Sequence, residues 1–292
     1  MALNVLALDI EGGHGGSSKS LYTSILHLDL NEVNVEVWCK RKGSIQQRYM
    51  DIGVCCRVKP DMPKVSALPR LSRNTYAHAV FLWQFVRAYH FRAELLDEIN
   101  NRFDVVHFNH ESLAWLGVWL RSRTNAGFVL HNRTMLRDSF FARAQIRAMN
   151  TAADDVIFIT ENEQENVRRL GIGNLGSVIY NPVESYKKPS KCHQLESDRI
   201  TFKVCCLSNF SWNRGLDRLV EVAEVLKSRK RTNIQFVVLG EAALSGSLPG
   251  ELGKIARNGG TLVDYAVLKG VSDMFMFLGH VSKPESVLFV CD

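Results

Sequence analysis

Three groups of residues have the types and spacing that chemistry requires. Gly12-Gly13-His14-Gly15-Gly16-Ser17-Ser18-Lys19-Ser20 follows an apolar stretch and opens a helical one. There, backbone N–H groups and a helix N-terminus can approach a phosphate or sugar hydroxyl with no Cβ in the way. A plain tight strand-to-helix turn would have the same composition. His131 closes the apolar residues 128–130 and is followed by Asn132 and Arg133. Ligands of open α/β sheets gather at the carboxyl ends of strands, so His131 is expected at a ligand site, with a satisfied structural histidine as the alternative. Arg214 lies in Ser208-Asn209-Phe210-Ser211-Trp212-Asn213-Arg214-Gly215, just ahead of a helical stripe made by Leu216, Leu219, Val220 and Ala223. Asn213 is the expected N-cap. A cation beside the positive end of a helix dipole is unfavourable alone, which points to an anionic partner, a diphosphate first. The alternative is an arginine reaching into solvent.

Other spacings carry less. Gly13 to Ser20 nearly fits G-x-x-x-x-G-K-[ST], but Ser18 replaces the second glycine and no aspartate suited to magnesium ends a later strand. A P-loop enzyme is therefore a distant third reading. Gly171-Ile172-Gly173-Asn174-Leu175-Gly176 fits G-x-G-x-x-G but lies after a helix and before a strand, the reverse of the dinucleotide context, so it reads as a helix-ending turn. His107 and His110, beside Glu111, are more readily structural than metal ligands, and no metal site is expected. No G-x-S-x-G elbow occurs. The seven cysteines form neither a disulfide framework nor a zinc pattern, which suggests a reducing cytosol.

The elements that must position these residues are legible as alternation. Apolar runs at 5–10, 105–108, 128–130, 156–159 and 178–180 suggest strands buried on both faces of a parallel sheet. Residues 33–38 alternate, with Asn34 and Glu36 on one face, and read as a strand nearer the sheet edge. Leu21, Ile25 and Leu28 share a helical face, and Phe85, Tyr89, Leu95, Leu96 and Ile99 fit one long helix. Residues 185–199 turn polar, and beyond them strands at 202–207, 234–239 and 274–278 flank a helix at 214–228. A final apolar run at 287–292 reads as the start of another strand. The expectation is an α/β protein of two units: residues 1–184, a linker at 185–200, and an incomplete second unit at 201–292.

With 46% hydrophobic and 23% charged residues over 292, the composition is globular. No run is long enough to span a membrane, and residues 1–10 lack the basic start of a signal peptide. The charge of +6 is clustered, at Lys40-Arg41-Lys42, at 227–231, and along Arg57, Lys59, Lys64, Arg70 and Arg73. Solvated surface is the plain reading. The sharper one is weak, salt-sensitive docking of residues 57–92 on an anionic membrane. Nothing points to nucleic acid.

The motifs, taken in order, resemble the retaining, nucleotide-sugar-dependent glycosyltransferases of family 4, which have the GT-B fold of two Rossmann-like domains. Gly15-Gly16-Ser17-Ser18-Lys19-Ser20-Leu21 is similar to the family's N-terminal glycine turn. Phe103-Asp104-Val105-Val106-His107 and Val129-Leu130-His131 resemble two of its strands, and Val178-Ile179-Tyr180-Asn181-Pro182-Val183 the segment ending its first domain. Ser208-Asn209 through Arg214-Gly215 resembles its phosphate-binding turn. Val237-Val238-Leu239-Gly240-Glu241 and Phe277-Leu278-Gly279-His280-Val281 are similar to later strands.

The resemblance implies roles. His131 would contact the reacting sugar as the catalytic residue, and Gly15 and Gly16 would face the donor diphosphate. Asn209 and Arg214 would hold the leaving group, Gly240 and Glu241 would add to the donor site, and Leu278, Gly279 and His280 would pass near the nucleobase. No cofactor or metal is implied, since the nucleotide-diphosphate sugar is a substrate. The acceptor would be a saccharide or lipid-linked saccharide, in cell-surface polysaccharide or glycolipid synthesis. The location would be cytoplasmic, peripheral at the inner face of the membrane. The family's E-x7-E motif would begin beyond Asp292, so the chain is expected to be truncated. An inactive nucleotide- or carbohydrate-binding remnant is the alternative function.

Overall fold

The computed structural model describes residues 2–13, 15–65, 75–171, 173, 176–183, 201–208, 214–244, 248–281 and 284–292. The chain divides into two compact units, Met1–Glu184 and Ser185–Asp292. The linker expected at 185–200 lies outside the described residues.

The first unit holds six strands: β1 (Leu3–Asp9), β2 (Val33–Cys39), β3 (Cys55–Val58), β4 (Val105–Phe108), β5 (Gly127–Asn132) and β6 (Asp155–Phe158). They form one parallel sheet in the order β3-β2-β1-β4-β5-β6. Its helices are α1 (Gly16–Leu26), α2 (Ile45–Asp51), α3 (Thr75–Arg87), α4 (Tyr89–Arg102), α5 (Ala114–Arg121), α6 (Phe140–Ala152) and α7 (Glu161–Arg169). Strand order reverses between β1 and β4, which creates a crevice at their carboxyl ends.

The apolar runs are continuous because both faces are covered. Leu6 and Leu8 of β1 pack with Val106, Phe108, Phe128 and Leu130 against α4, α5 and α6. Ala7, between them, packs with Val35, Val37 and Cys39 against Leu21, Ile25, Ile45 and Tyr49 of α1 and α2. Leu28 does not join that face. It lies beyond the end of α1 and is exposed.

Three expectations need correction in this unit. The run at 178–180 forms a single bridge, Phe158 to Val178, and Pro182, two residues beyond the run, has no N–H to extend a ladder. The long helix is two, broken at Ala88. Glu36, read as part of a polar face, is buried, and β3 lies outside β2 as the edge strand. The Glu36 carboxylate accepts from Trp38 Nε1 at 2.8 Å and pairs with Arg57 Nε at 2.8 Å and Arg102 Nη2 at 2.9 Å. It thereby ties β2 to β3 and α4.

The second unit has a parallel sheet of β7 (Phe202–Leu207), β8 (Ile234–Leu239) and β9 (Phe275–Gly279) in that order. Its helices are α8 (Leu216–Ser228), α9 (Gly250–Arg257), α10 (Leu262–Leu268) and α11 (Glu285–Leu288). Leu216, Val220 and Ala223 of α8 pack with Phe236, Val238, Leu262 and Ala266. The run at 287–292 is not a strand. Pro284 and Glu285 start α11, whose Val287 is buried against Val237 and Leu239. Asp292 then binds Lys203 of β7, its backbone N–H donating to Lys203 O at 3.0 Å and its Oδ2 accepting from Lys203 N at 2.8 Å.

Breaking a buried ion pair from one side is costly, though two partly exposed arginines regain water. Glu36→Ala is expected to destabilise the first unit by about 2 kcal/mol, read as a lowered urea midpoint. An unchanged midpoint would show that Glu36 is not a clamp.

Candidate functional site

The crevice between β1 and β4 is filled by hydrogen-bonded polar side chains. Asp9, the last residue of β1, is fully buried. Its carboxylate accepts from Ser18 Oγ in the first turn of α1, from Asn109 Nδ2 at 3.2 Å and from Glu11 N at 3.3 Å. Asn109 follows β4, and its Nδ2 also lies 3.3 Å from Ser17 O. These bonds hold the glycine turn against the end of the central strand.

Arg133 extends the network sideways. Its Nε donates to Asn109 O at 2.9 Å, Nη2 to Asn109 Oδ1 at 2.6 Å, and Nη1 to Asn181 Oδ1 at 3.0 Å. Asn181 Oδ1 accepts also from Ser20 Oγ of α1 at 2.6 Å. The backbone N–H of Arg133 donates to buried Glu111 at 3.1 Å, and Thr134 Oγ1 donates to the same carboxylate at 2.6 Å. Burial lowers the Arg133 guanidinium to about 10, with Asp9, Glu111 and Glu163 opposing that shift.

His131 sits beside Arg133 with 7% of its surface exposed. Its Nδ1 lies 3.2 Å from Arg133 Nη2. Its ring centroid is 5.7 Å from that of His107, and its Nε2 is buried with no hydrogen-bond partner among the described residues. Burial first, then Arg133 and the neighbouring His107 and His110, push the His131 imidazole down to about 2. Burial and Arg133 lower His107 to about 4. Both rings are neutral at physiological pH, so His131 can offer a hydrogen bond but holds no proton for acid catalysis. His110 Nδ1 accepts from Ser112 N at 3.1 Å and caps a short turn. Among the described residues, no group of three or more His, Cys, Asp or Glu side chains could hold a metal ion.

The glycines divide by function. A Cβ at Gly12 would come 2.2 Å from Arg41 O, so the turn needs glycine there to pass the loop after β2. A Cβ at Gly16 would meet nothing within 4 Å. Gly15 is the N-cap of α1, and as a glycine it supplies no side-chain cap to the first-turn amides. Gly15, Gly16 and His131 therefore belong to two segments joined by one network through Asn109 and Arg133.

In the second unit, Gly240 N donates to Gly279 O at 2.7 Å, which sets Gly240, Glu241, Leu278, Gly279 and His280 side by side at the carboxyl ends of β8 and β9. Glu241 and His280 are exposed. Arg214 is exposed and immediately precedes the N-cap of α8. That cap is Gly215, in the left-handed region at φ 72°, and Asn213, the expected cap, lies outside the described residues, as does Asn209. Asp9, Ser18, Asn109 and Glu111 do not stand among the sequence-predicted site residues. The signal for Asp9 and Asn109 is positional, since one ends β1 and the other follows β4, whereas Ser18 lies inside the glycine-turn motif and Glu111 beside His110.

The profile of the family described as Glycosyltransferase Family 4 matches residues 14–185. No curated protein matches the chain significantly in sequence. Among solved structures, the chain is similar to HepE of Anabaena in complex with UDP and glucose, with TM-score 0.68 and 17% identity over 99% of this chain and 72% of that one. It is similar to the lipopolysaccharide outer core galactosyltransferase WaaB (TM-score 0.56, 15% identity, 96% of this chain and 69% of that one). It is also similar to S. aureus TarM in complex with fondaparinux, α-GlcNAc-glycerol and UDP (TM-score 0.59, 10% identity, 97% of this chain and 78% of that one). The fold is the α/β, Rossmann-like fold of GT-B glycosyltransferases, with parallel sheets in both units.

Two expected outcomes follow from this geometry. Gly12→Ala should lower stability by on the order of 2 kcal/mol through backbone overlap, while Gly16→Ala should leave the melting temperature unchanged. Equal melting temperatures for the two variants would contradict the close approach at Gly12. The depressed histidines set the second outcome. Between pH 6.5 and 5 the unfolded chain binds protons on His107 and His131 that the folded chain refuses, so stability falls as pH falls. Melting temperature should drop through that window, and His107→Phe should flatten the slope. An equally steep slope in His107→Phe would show that His107 is not a source of it.

Proposed function

We propose, from the premise that the chain belongs to Glycosyltransferase Family 4, that it transfers a sugar from a nucleotide-diphosphate donor to a saccharide or lipid-linked saccharide acceptor with retention of anomeric configuration. The observation that carries the reading is the polar cluster at the β1–β4 crevice, where neutral His131 and the uncapped turn at Gly15 and Gly16 present donors. His131 is assigned to the reacting sugar, as a hydrogen-bond donor to oxygen. Gly15, Gly16, Asn209 and Arg214 are assigned to the donor diphosphate, where charge develops as the bond breaks and fixed N–H groups and a guanidinium stabilise it. Gly240, Glu241, Leu278, Gly279 and His280 are assigned to the remainder of the donor. No cofactor or metal enters this scheme. UDP in the Anabaena and TarM structures makes uracil the first nucleobase to try. Cell-surface polysaccharide or glycolipid synthesis is the proposed setting, in keeping with the fold shared with a lipopolysaccharide outer core galactosyltransferase.

The test is calorimetric titration with UDP, GDP and ADP, followed by turnover of the matching nucleotide sugars. Arg214→Ala should weaken the preferred diphosphate roughly ten- to a hundredfold, as loss of a charge-assisted contact does, without changing the melting temperature. His131→Ala should bind it normally and lose about a hundredfold in turnover. Equal diphosphate affinity in Arg214→Ala would remove that residue from the site, and full turnover in His131→Ala would remove the histidine from the reaction.

A peripheral location on the membrane is part of the same proposal. Among the described residues, no helix is long and apolar enough to cross a membrane. The surface of α3 instead suits an interface. Phe81 and Phe85 pack on the core, while Leu82 (61% exposed), Trp83 (58%) and Val86 (61%), with Tyr89 (65%) just beyond, turn outward. Residues 62–93 contain Lys64, Arg70, Arg73, Arg87 and Arg92 and no Asp or Glu. Exposed apolar side chains in a stretch of sequence whose Lys and Arg are not accompanied by Asp or Glu match an anionic bilayer, each cation near the surface adding about 1 kcal/mol. The protein should co-sediment with phosphatidylglycerol vesicles and not with phosphatidylcholine alone, less so in high salt and in Trp83→Ser/Val86→Ser. Binding that ignores anionic lipid content would defeat this part.

A further inference from the structure

We infer that Arg133 is a positioning residue that fixes the His131 imidazole as a neutral ring with its proton on Nε2, presenting a hydrogen-bond donor to a ligand oxygen. The inference rests on the reading of His131 as ligand-facing and adds how the chain prepares it. A guanidinium has five N–H donors and nothing with which to accept. The 3.2 Å contact between Arg133 Nη2 and His131 Nδ1 therefore runs one way, with Nδ1 accepting. A neutral imidazole that accepts at Nδ1 carries its hydrogen at Nε2.

Arg133 cannot turn away easily. Its side chain is held by Asn109 O, Asn109 Oδ1 and Asn181 Oδ1, and its backbone N–H by Glu111. Three segments, those after β4, β5 and β6, thus set the direction of one N–H. The His131 Nε2–H so defined is buried and has no partner among the described residues. A buried donor left unpaired is unfavourable, and its presence here points to an acceptor that arrives with a ligand, a sugar hydroxyl or ring oxygen by chemistry. The charged and titratable groups around the ring act in the same sense. Arg133, His107 and His110 all disfavour an imidazolium, while Asp9, Glu111 and Glu163 face Arg133 and keep the arginine itself charged.

The role differs from that of a general base. Protonation of Nδ1 is blocked by a cation already bonded there, so His131 contributes direction and donor strength. A lysine at 133 would keep a positive charge but lose the fork that spans Asn109, Asn181 and His131.

The test reads tautomers directly, using the full chain labelled with 15N-histidine and long-range 1H–15N spectra. The wild type is expected to show His131 protonated on Nε2 alone and uncharged down to pH 5. Arg133→Met should show both tautomers and a titration midpoint raised by about one pH unit or more. Arg133→Lys should hold the midpoint low without fixing the tautomer. A wild-type proton on Nδ1, or an Arg133→Lys spectrum identical to wild type, would overturn the inference. If Arg133→Met does not fold, the wild-type and Arg133→Lys spectra still decide it. These spectra need no sugar transfer, whereas turnover in His131→Ala decides the ligand-facing reading, so the two failures are distinguishable.

Discussion

Asp9 ends the central strand of a sheet covered on both faces, and its carboxylate has no access to water. A buried carboxylate is tolerable only when its lone pairs are filled by donors in good geometry. Here the donors come from Ser18, Asn109 and the backbone of Glu11, so satisfying one charge fixes the glycine turn, the start of α1 and the exit of β4 together. Arg133 then uses Asn109 as its own acceptor and carries the order on to β5 and to Asn181. The network rigidifies a crevice that strand order alone would leave as a gap between loops.

The same burial sets the chemistry. Low dielectric and the Arg133 cation hold His131 and His107 neutral, so in the proposed function the first unit would offer oriented donors near neutral pH. That suits a reaction in which a diphosphate leaves with its charge, because fixed dipoles stabilise developing charge without reorganising. It does not suit proton abstraction by His131, whose Nδ1 is already engaged. Acid that would protonate the two histidines also opposes the folded state.

Helix α3 meets a different constraint. It is apolar nearly all round, yet only one side finds the core through Phe81 and Phe85. The other side leaves Leu82, Trp83 and Val86 in solvent, with Arg87 4.6 Å over the Trp83 ring. The long helical pattern in the sequence does not reveal this division, since both faces read as apolar. The helices are separated at Ala88, and α4 buries Phe91, Leu95 and Ile99 while α3 packs through Phe81 and Phe85.

The sequence by itself determined the alternation of buried strands and helices, the second unit's strands and the positions of Gly15, Gly16, His131 and Arg214 at the ends of strands or starts of helices. Local periodicity is sufficient for that, because apolar runs and glycine turns report burial and backbone freedom residue by residue. The family resemblance, carried by the same motifs, also stood in the sequence. What only tertiary structure decided is who partners whom. Asp9 and Asn109 are a hundred positions apart, and Arg133 and Asn181 forty-eight, so no local pattern links them. Glu36 reads as solvent-facing until two arginines from β3 and α4 close over it. The apolar run at 287–292 reads as a strand until Pro284 starts a short helix and Asp292 pairs with Lys203. Such pairings follow from the three-dimensional satisfaction of buried polar groups, which depends on register and strand order and not on the residues nearby in the chain.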